Sequence, residues 1–399
     1  MKRLLAPVAF ALLGCSAWAV YAPVPEADRG EPLIIEAKVG SRYDSNIFGS
    51  HRFEQDSMVA LFAPRVKGQA SLGDQTFLQA NYGLEASHYF DRPGDDTLLN
   101  HQLGVVLDYT PDARTFIRAS EAVRYINDPK TIIPLGLDVD QSYWSHQSDV
   151  HAQWGLLPTI ALGARGGLYG IRYDENRLAR ELDRDDVSAG GEVRWSVLPE
   201  VDLVGEANFS NVAYDQQDAL RGSDTWDFQG GIDYLPGPRL RMGLRAGVET
   251  RERNDGVETD AFTGSISLGY RYLPQSQVSL MVSRELRETT VPDIFPQSKV
   301  TMVYLTNEHD LTGHDTLFLT TMLLYEHADL EVSPRFAAFE DDISDDTVRG
   351  GLGLSWRYRD NWRADLQYDL DLVTSDTEVR EQERHRVSVS LSYSFAPLR

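Results

Sequence analysis

The sequence predicts an all-β protein: an antiparallel transmembrane β-barrel of about 18 strands, although 16 also fit, with short periplasmic turns and long external loops. Three observations support this prediction. Apolar and charged residues alternate with a period of two in segments of about nine to thirteen residues, the length that a tilted strand needs to cross a bilayer. The connections between these segments alternate between short and long. Aromatic residues recur where the segments meet the short connections.

The N-terminus predicts a cleaved leader. Lys2 and Arg3 precede an apolar run over residues 4–14, and an Ala-x-Ala site ends at Ala19, which is the order found in signal peptides. A second processing route stays open, because the residues before Cys15 resemble a lipoprotein site in which that cysteine becomes lipidated. The predicted organisation is a signal peptide at 1–19, a periplasmic N-terminal segment at 20–32, the barrel at 33–395 and a C-terminal tail at 396–399.

Residues 239–251 show the alternation clearly. Side chains of a strand point alternately to its two faces, so apolar residues on one face and charged residues on the other predict one lipid-facing and one wet surface. The apolar set is Leu240, Met242, Leu244, Ala246 and Val248, and the charged set is Arg239, Arg241, Arg245, Glu249 and Arg251. Residues 362–372 repeat the pattern with Trp362, Leu366 and Tyr368 opposite Asp365, Asp369 and Asp371.

The connections predict which side of the membrane each end faces. Short turns with proline, glycine or aspartate occur near residues 110–113, 155–159, 198–200, 235–238, 273–275 and 359–361. Longer polar connections, predicted to face outward, lie at 125–141, 174–186, 214–223, 252–260, 288–297, 332–345 and 374–383. An irregular turn at 307–314, followed and preceded by apolar residues on both faces, leaves the strand count at 16 or 18. The aromatic residues beside the short turns are Tyr109, Trp154, Trp195, Tyr234, Tyr272, Trp356 and Trp362.

Composition excludes several classes of function. The net charge of -23 argues against nucleic acid as a partner, because phosphate binding needs an excess of Lys and Arg. Nucleophile-elbow, zinc-protease, P-loop and dinucleotide motifs do not occur in the sequence. Cys15 is the single cysteine and belongs to the predicted leader, so cysteine chemistry is not expected in the mature chain. We expect no catalytic residues, no cofactor and no metal site.

Twelve charged residues are predicted to line the barrel interior. They admit two interpretations: an ion-paired wall that solvates and stiffens the barrel, or a surface that selects solutes through fixed charge. Their mixed signs suit a neutral or weakly charged hydrated polymer, although such a wall could equally bind nothing. The candidates are Arg239, Arg241, Arg245, Arg251, Asp227, Asp233, Arg194, Glu206, Arg271, Arg357, Asp365 and Asp369.

A short motif after the first predicted strand carries a family resemblance. The stretch Tyr43-Asp44-Ser45-Asn46-Ile47-Phe48 resembles the opening motif of the type 2 β-barrel porins, the EpsL-like proteins associated with exopolysaccharide gene clusters. From the residues themselves, we expect Asp44 and Asn46 to cap a tight turn, with Ile47 and Phe48 folded back onto the barrel or into its mouth. The other interpretation is a contact with ligand or a constriction.

The resemblance implies a location in the outer membrane and a channel or accessory role in exopolysaccharide export or secretion. Alternatives are a generic passive porin, a structural barrel with a filled lumen, and a hydrolase at the rim, for which His327 near Asp329 is the candidate. Expected partners are outer-membrane lipid and lipopolysaccharide, the barrel insertion machinery, polysaccharide and periplasmic export proteins.

Overall fold

The structure, a computed structural model, describes most of the chain after the predicted leader. The described residues are 32–49, 51, 54–127, 141–216, 218–289, 295, 297–332, 342–359 and 361–397. The predicted signal peptide, the choice of processing at Cys15 and nearly all of the 20–32 segment lie outside these residues, as do residues 398–399 of the predicted tail. Parts of three predicted external loops, at 128–140, 290–294 and 333–341, lie outside them as well.

The chain forms one closed antiparallel sheet of 18 strands, because the first strand pairs with the last. Each strand also pairs with its neighbours in the sequence. In chain order the strands are β1 (Leu33–Asp44), β2 (Ser57–Gly73), β3 (Thr76–Tyr89), β4 (Thr97–Asp112), β5 (Thr115–Ile126), β6 (Tyr143–Leu157), β7 (Ile160–Tyr173), β8 (Arg184–Leu198), β9 (Val201–Tyr214), β10 (Ser223–Gly237), β11 (Leu240–Arg253), β12 (Glu258–Leu273), β13 (Ser276–Glu288), β14 (Gln297–Asp310), β15 (Leu317–Glu331), β16 (Ile343–Tyr358), β17 (Trp362–Ser375) and β18 (Gln382–Phe395).

The alternation in the sequence determines which side chains face outward. On β11, the side chains of Met242, Leu244 and Val248 are exposed on the outer surface, while Arg245 and Arg251 on the other face are largely buried inside. The same division runs around most of the ring. Because the outer face is apolar and the inner face is charged, the barrel presents hydrocarbon to lipid and polar groups to a wet interior.

The segment with the uncertain turn forms two full strands, so the count is 18. Asn307 and Asp310 belong to β14, and the connection occupies only residues 311–316, so the turn predicted at 307–314 begins too early. The side chain of Asp310 explains where the strand ends. Its two oxygens accept backbone N–H bonds from Thr312 and Asp315, each at 3.0 Å, and Asp315 adopts a φ of 57°.

The strands extend further outward than predicted. Asp185 and Asp186, predicted in a loop, pair with Gly170 and Tyr169 as part of β8. The bounds predicted for the loop at 252–260 are wrong, since only residues 254–257 separate β11 from β12. Two short helices occupy external connections: α1 (Asn176–Leu182) and α2 (Asp218–Arg221). No helix among the described residues is long and apolar enough to cross a membrane.

The seam between β1 and β18 is held by an ion pair that is nearly fully buried. Next to Asp44, Arg42 Nη2 donates to Tyr89 Oη of β3 at 3.1 Å. The ion pair itself is formed by Arg384, whose Nε and Nη2 donate to the two carboxylate oxygens of Asp44 at 2.8 and 2.6 Å. Such a two-pronged contact fixes both the distance and the orientation of the strands that carry it. Ser45 continues the seam, because its N–H donates to the carbonyl of His385 at 3.0 Å.

The residues after Asp44 turn back toward the barrel interior. Asn46 N–H donates to Asp44 Oδ1 at 3.3 Å, and Asn46 Nδ2 donates to the carbonyl of Glu383 at 3.2 Å. Ile47 is buried, with Phe48 packed alongside. Their cluster is completed by Val59, Leu61, Tyr89 and Leu98. The motif therefore forms an Asx turn whose apolar residues lie inside the outer mouth, whereas Tyr43 points outward and donates to Asp56 at 3.2 Å.

Removing the charge of Asp44 should weaken barrel closure. Breaking a buried pair costs about 3–5 kcal/mol, because the remaining ion stays buried without compensation. We expect Asp44→Asn to lower the temperature at which the folded band disappears in a semi-native SDS gel, and Arg384→Ala to do the same. Glu36→Gln, on the same inward-facing side of β1, is the control and should have little effect. Equal melting of Asp44→Asn and the unmodified protein would contradict this role.

Candidate functional site

The inner wall formed by β8 to β11 contains a continuous ion-pair network centred on Asp233. Arg245 Nη1 donates to Asp233 Oδ1 at 2.8 Å, and Arg194 contacts the same carboxylate. Arg245 Nε also donates to Glu206 Oε1 at 2.9 Å. Arg194 is further bound by Glu192 at 3.1 Å and Asp202 at 3.3 Å. Four predicted interior residues, Arg194, Glu206, Asp233 and Arg245, thus lie in one cluster.

The network reaches β7 through Arg165, which the sequence reasoning missed. Arg165 Nη2 donates to Glu206 Oε2 at 2.6 Å, and its Nε donates to Asn208 Oδ1 at 2.7 Å. Glu206 therefore lies between two guanidinium groups. Arg165 occupies an inward-facing position of a strand that contains six glycines and alanines, and period-two counting along residues 160–173 would have identified it. Asp202 lies on the same polar face of β9 as Glu206 and Asn208, as the alternation along residues 201–209 predicts.

Asp227 lies on the same wall but not in the arginine network. It accepts hydrogen bonds from Asn208 Nδ2 at 2.9 Å, from Gln229 Nε2 at 3.0 Å and from Thr263 Oγ1 at 3.2 Å. Asp227 therefore lines the interior as predicted, but it is hydrogen bonded to neutral groups and not to the arginines of β11. Its partners are neutral amide and hydroxyl groups, so this part of the wall offers hydrogen bonds and an uncompensated carboxylate.

Arg251 lies higher on β11, near the external end. Its guanidinium binds Glu249 at 3.2 Å and Glu288 at 3.1 Å, and its Nε donates to Thr225 Oγ1 at 3.2 Å. Tyr214 also donates to Glu288, at 3.4 Å. The guanidinium of Arg184 donates to the hydroxyl of Tyr214 and lies over its ring. This second cluster was only partly predicted, because Glu288 and Tyr214 lie at strand ends where alternation no longer indicates a face.

The opposite wall, from β15 to β18, carries the remaining predicted residues. Asp365 pairs with Arg363 at 3.0 Å, and Asp369 accepts a hydrogen bond from Gln367 at 2.8 Å. Arg357 lies over the ring of Phe318 at 4.2 Å from its centroid. Further along this wall, Asp371 binds Arg386 at 2.7 Å and Arg349 at 3.6 Å. The predicted residues here are neighbours on one surface but do not form a single network.

Three predicted arginines lie near the periplasmic end. Arg241 and Arg271 occupy inward-facing strand positions opposite Gly269 and Gln277, and both are exposed. Arg239 is different, because it lies in the turn between β10 and β11, where its carbonyl accepts the N–H of Arg271 at 2.8 Å. Its placement in the interior file was wrong. The predicted alternation began one residue before the start of β11. The chain reverses direction there, so the two-residue period does not apply.

The inner face of β13 to β15 is apolar. Met302 and Leu324 are buried, and Met281, Tyr304 and Met322 pack against them. Apolar residues on both faces of 299–330 were visible in the sequence and made the strand count ambiguous.

The pairing of β12 with β13 ends at Gly264 and Arg284. Beyond that point the side chains of Glu249 and Arg251 hydrogen bond to the backbone of Leu286, each at 3.4 Å.

A polar cavity of about 530 Å³ lies between the ion-pair wall and β13. It lies within the barrel, so water and small solutes that enter the lumen contact these groups. The polar side chains that line it include Asn208, Asp227, Gln229, Thr263, Ser265 and Ser283. Within the described ranges, no group of three or more His, Cys, Asp or Glu side chains is arranged to hold a metal ion.

The rim histidine contacts carboxylates on the outer surface. His327 Nδ1 lies 2.9 Å from Asp346 Oδ1, and its Nε2 lies 3.1 Å from Asp329 Oδ1. Tyr325 donates to the same Asp346 oxygen at 2.7 Å. A hydrolase would need a nucleophilic hydroxyl hydrogen-bonded to this imidazole. The ring nitrogens instead face two carboxylates, so the geometry at His327 is that of a surface ion-pair cluster.

Comparison with solved structures places the fold among outer-membrane channels. A BenF-like porin from Pseudomonas fluorescens Pf-5 aligns over 91% of this chain and 99% of its own, at 10% identity and a TM-score of 0.50. OccK2 (OpdF) of Pseudomonas aeruginosa aligns over 92% of this chain and 98% of its own, at 14% identity and a TM-score of 0.51. Its complex with glucuronate gives 14% identity, coverages of 92% and 98%, and a TM-score of 0.50. Among curated proteins, no significant sequence match is found.

The sequence of this chain also matches a protein family directly. The family described as "Putative beta-barrel porin 2" matches residues 156–395, which include the ion-pair network, the cavity and the opposite wall. The motif at 43–48 lies outside the matched residues, so the match is independent of the resemblance noted in the sequence. The family and the neighbouring folds agree with a lipid-facing exterior and a charged interior. The chain therefore belongs to the "Putative beta-barrel porin 2" family and is an outer-membrane β-barrel porin.

Proposed function

We propose that this porin is a passive channel for small hydrophilic solutes that are neutral or weakly charged, with saccharides as the favoured class. The observation that carries the proposal is the composition of the inner wall. Arg194 and Arg245 are bound to carboxylates on the next strand or two strands away, and hydroxyl and amide groups fill the space between the ion pairs. Rings of fixed charge and hydrogen-bonding groups determine which solutes a pore admits.

Paired charges produce a weak field in the lumen. A guanidinium 2.8 Å from a carboxylate forms a dipole whose potential falls off faster than that of an isolated ion. The wall of β7 to β11 therefore lacks a single dominant sign, although the whole chain carries a charge of -23. Much of the acidic excess lies at strand ends and loops, for example Asp183, Asp215 and Asp376. A wall of this kind neither repels nor traps a neutral solute.

The hydrogen-bonding groups favour polyhydroxylated solutes. Asn208, Gln229, Thr263 and Ser283 present donors and acceptors around the cavity, and Asp227 presents acceptors only. A sugar can exchange hydrogen bonds with water for bonds with these groups at little net cost. OccK2 has been solved with glucuronate, a sugar acid, but its similarity to this chain concerns the fold alone.

Polysaccharide export is a more specific hypothesis than passage of small solutes, and it rests on the resemblance of residues 43–48 to the EpsL-like proteins. Several inward elements narrow the outer half of the barrel. Ile47 and Phe48 pack inside the mouth, and Phe295 is buried against Val300 and Leu330. We therefore favour small solutes over a polymer as the permeant. Lipopolysaccharide, the insertion machinery and periplasmic export proteins stay predicted partners.

Swelling of proteoliposomes tests the proposal. We expect liposomes that contain the purified porin to swell in isotonic arabinose or glucose, more slowly in disaccharides, and very slowly in a high-molecular-weight dextran. The order follows from solute size in a lumen with no strong charge preference. Liposomes without protein are the control. Failure to swell in any sugar would contradict the channel and support a structural barrel with a filled lumen, whereas rapid dextran entry would favour polymer transport.

Removal of one paired arginine should change ion selectivity. Arg245→Ala leaves Glu206 and Asp233 less compensated, so the wall becomes more negative. One unit charge about 8 Å from the permeation path stabilises a cation and destabilises an anion by about 0.5 kcal/mol each in water, a difference of about 1 kcal/mol, so the cation-to-anion permeability ratio should rise roughly fivefold. The ratio is measured from the reversal potential in a KCl gradient. Arg239→Ala, in the periplasmic turn, is the matched control, and an equal shift in both variants would contradict the role of Arg245.

A further inference from the structure

The lipid-facing surface carries a carboxyl group in an unexpected position. On β5, Glu121 pairs with Val105 of β4 and Ser148 of β6, and these positions share the outward face. The large residues of that face are exposed, with Leu103 at 43%, Trp144 at 49% and Val150 at 50%. Because strand side chains alternate without a register shift along these pairs, Glu121 points away from the lumen and toward the membrane.

The depth of this group places it in the hydrocarbon region. Ser148 lies four residues from Trp144 and six from Trp154, and both tryptophans are exposed at about half of their area near the two ends of β6. Aromatic residues of this kind lie at the headgroup level. At about 3.3 Å per residue on a strand tilted by about 40°, Ser148 lies roughly 10 Å below the outer aromatic level.

Lipid is a poor environment for this side chain. The hydroxyl of Ser148 donates to Glu121 Oε2, a contact across adjacent strands. A carboxyl group in hydrocarbon needs partners from the protein for both of its oxygens. Water is absent there, and lipid tails form no hydrogen bonds. Ionisable groups inside a membrane usually face protein or water for this reason. In the described part of the chain, Ser148 is the partner that an isolated barrel provides.

A histidine on the same surface provides a complementary group. His146 lies two residues from Ser148 on β6, and its side chain is exposed. Its Nε2 lies over Gly170, where a Cβ would clash with the ring, and Asp185, which is bound by Arg172, reaches the same space from β8, so the glycine leaves room for both side chains. The patch, defined as Glu121, His146, Ser148 and Val150, thus contains a carboxyl group, an imidazole and a projecting apolar side chain.

We propose that this patch is the contact surface between two copies of the porin in the membrane. In a two-fold interface each residue pair occurs twice, so Glu121 of one copy can meet His146 of the other, and His146 of the first can meet Glu121 of the second. The patch is therefore complementary to itself in hydrogen bonding, because the carboxyl group of each copy can meet the imidazole of the other. Association would give the carboxyl group a polar partner in place of lipid. The inference concerns assembly and does not depend on which solute the channel passes.

Cross-linking through single cysteines tests the proposed contact. The natural cysteine is replaced (Cys15→Ser), and Val150→Cys is compared with Val389→Cys, which has a similar exposure of 55% on the lipid face of β18. Oxidation in outer membranes should convert most of the Val150→Cys protein to a species of twice the mass on a non-reducing gel. The β18 variant should stay monomeric at the same expression level.

Substitution of Glu121 tests whether the carboxyl group drives the contact. In the Val150→Cys background, Glu121→Leu should reduce the cross-linked fraction at least fivefold, while Glu252→Leu, an outward carboxylate at the external edge of β11, should not. Heat-modifiable migration on SDS gels confirms that each variant is folded. Equal cross-linking at positions 150 and 389, an undiminished dimer in Glu121→Leu, or cross-linking only to a different protein would each overturn the proposal.

Discussion

The structure depends on one constraint: every backbone N–H and C=O group that crosses the bilayer must be hydrogen bonded within the protein. Eighteen strands meet this requirement only when β1 pairs with β18, because an open sheet would leave two unpaired edges in lipid. The buried pair of Asp44 and Arg384 joins the outer ends of these two strands. The inward fold of Ile47 and Phe48 follows directly from it, since the Asx turn begins at the same aspartate.

Closure also determines what the interior contains. Alternate residues of every strand point inward, so an apolar exterior leaves the charged residues facing a common space. Arginines there are stabilised by carboxylates two strands away as well as on adjacent strands, as Arg194 is by Asp202 and Asp233. The resulting wall is rigid, hydrated and nearly balanced in charge around Glu206 and Asp233. The same ion pairs thus neutralise the charges of the inner wall and make its selectivity for solutes weak.

Much of this architecture could be predicted from the sequence because a period of two is a local property. Arg245 and Asp233 were assigned to the interior from alternation alone, and both lie there. The placement failed where the period stops, as at Arg239 in a turn, whereas the interior position of Arg165 follows from the alternation along residues 160–173 although its contact with Glu206 does not. Alternation assigns a face but not a neighbour, so it could not show that Asp227 binds amides and a hydroxyl instead of arginine.

A water-filled lumen whose fixed charges largely compensate each other can be detected electrically. The most direct measurement is the current through single purified porins in a planar bilayer, recorded in symmetric KCl and then in a KCl gradient. We expect an ohmic open channel with a reversal potential close to zero. A membrane that stays silent after verified insertion would contradict the open lumen, and a reversal potential near the limit for an ideally selective pore would contradict the balanced wall.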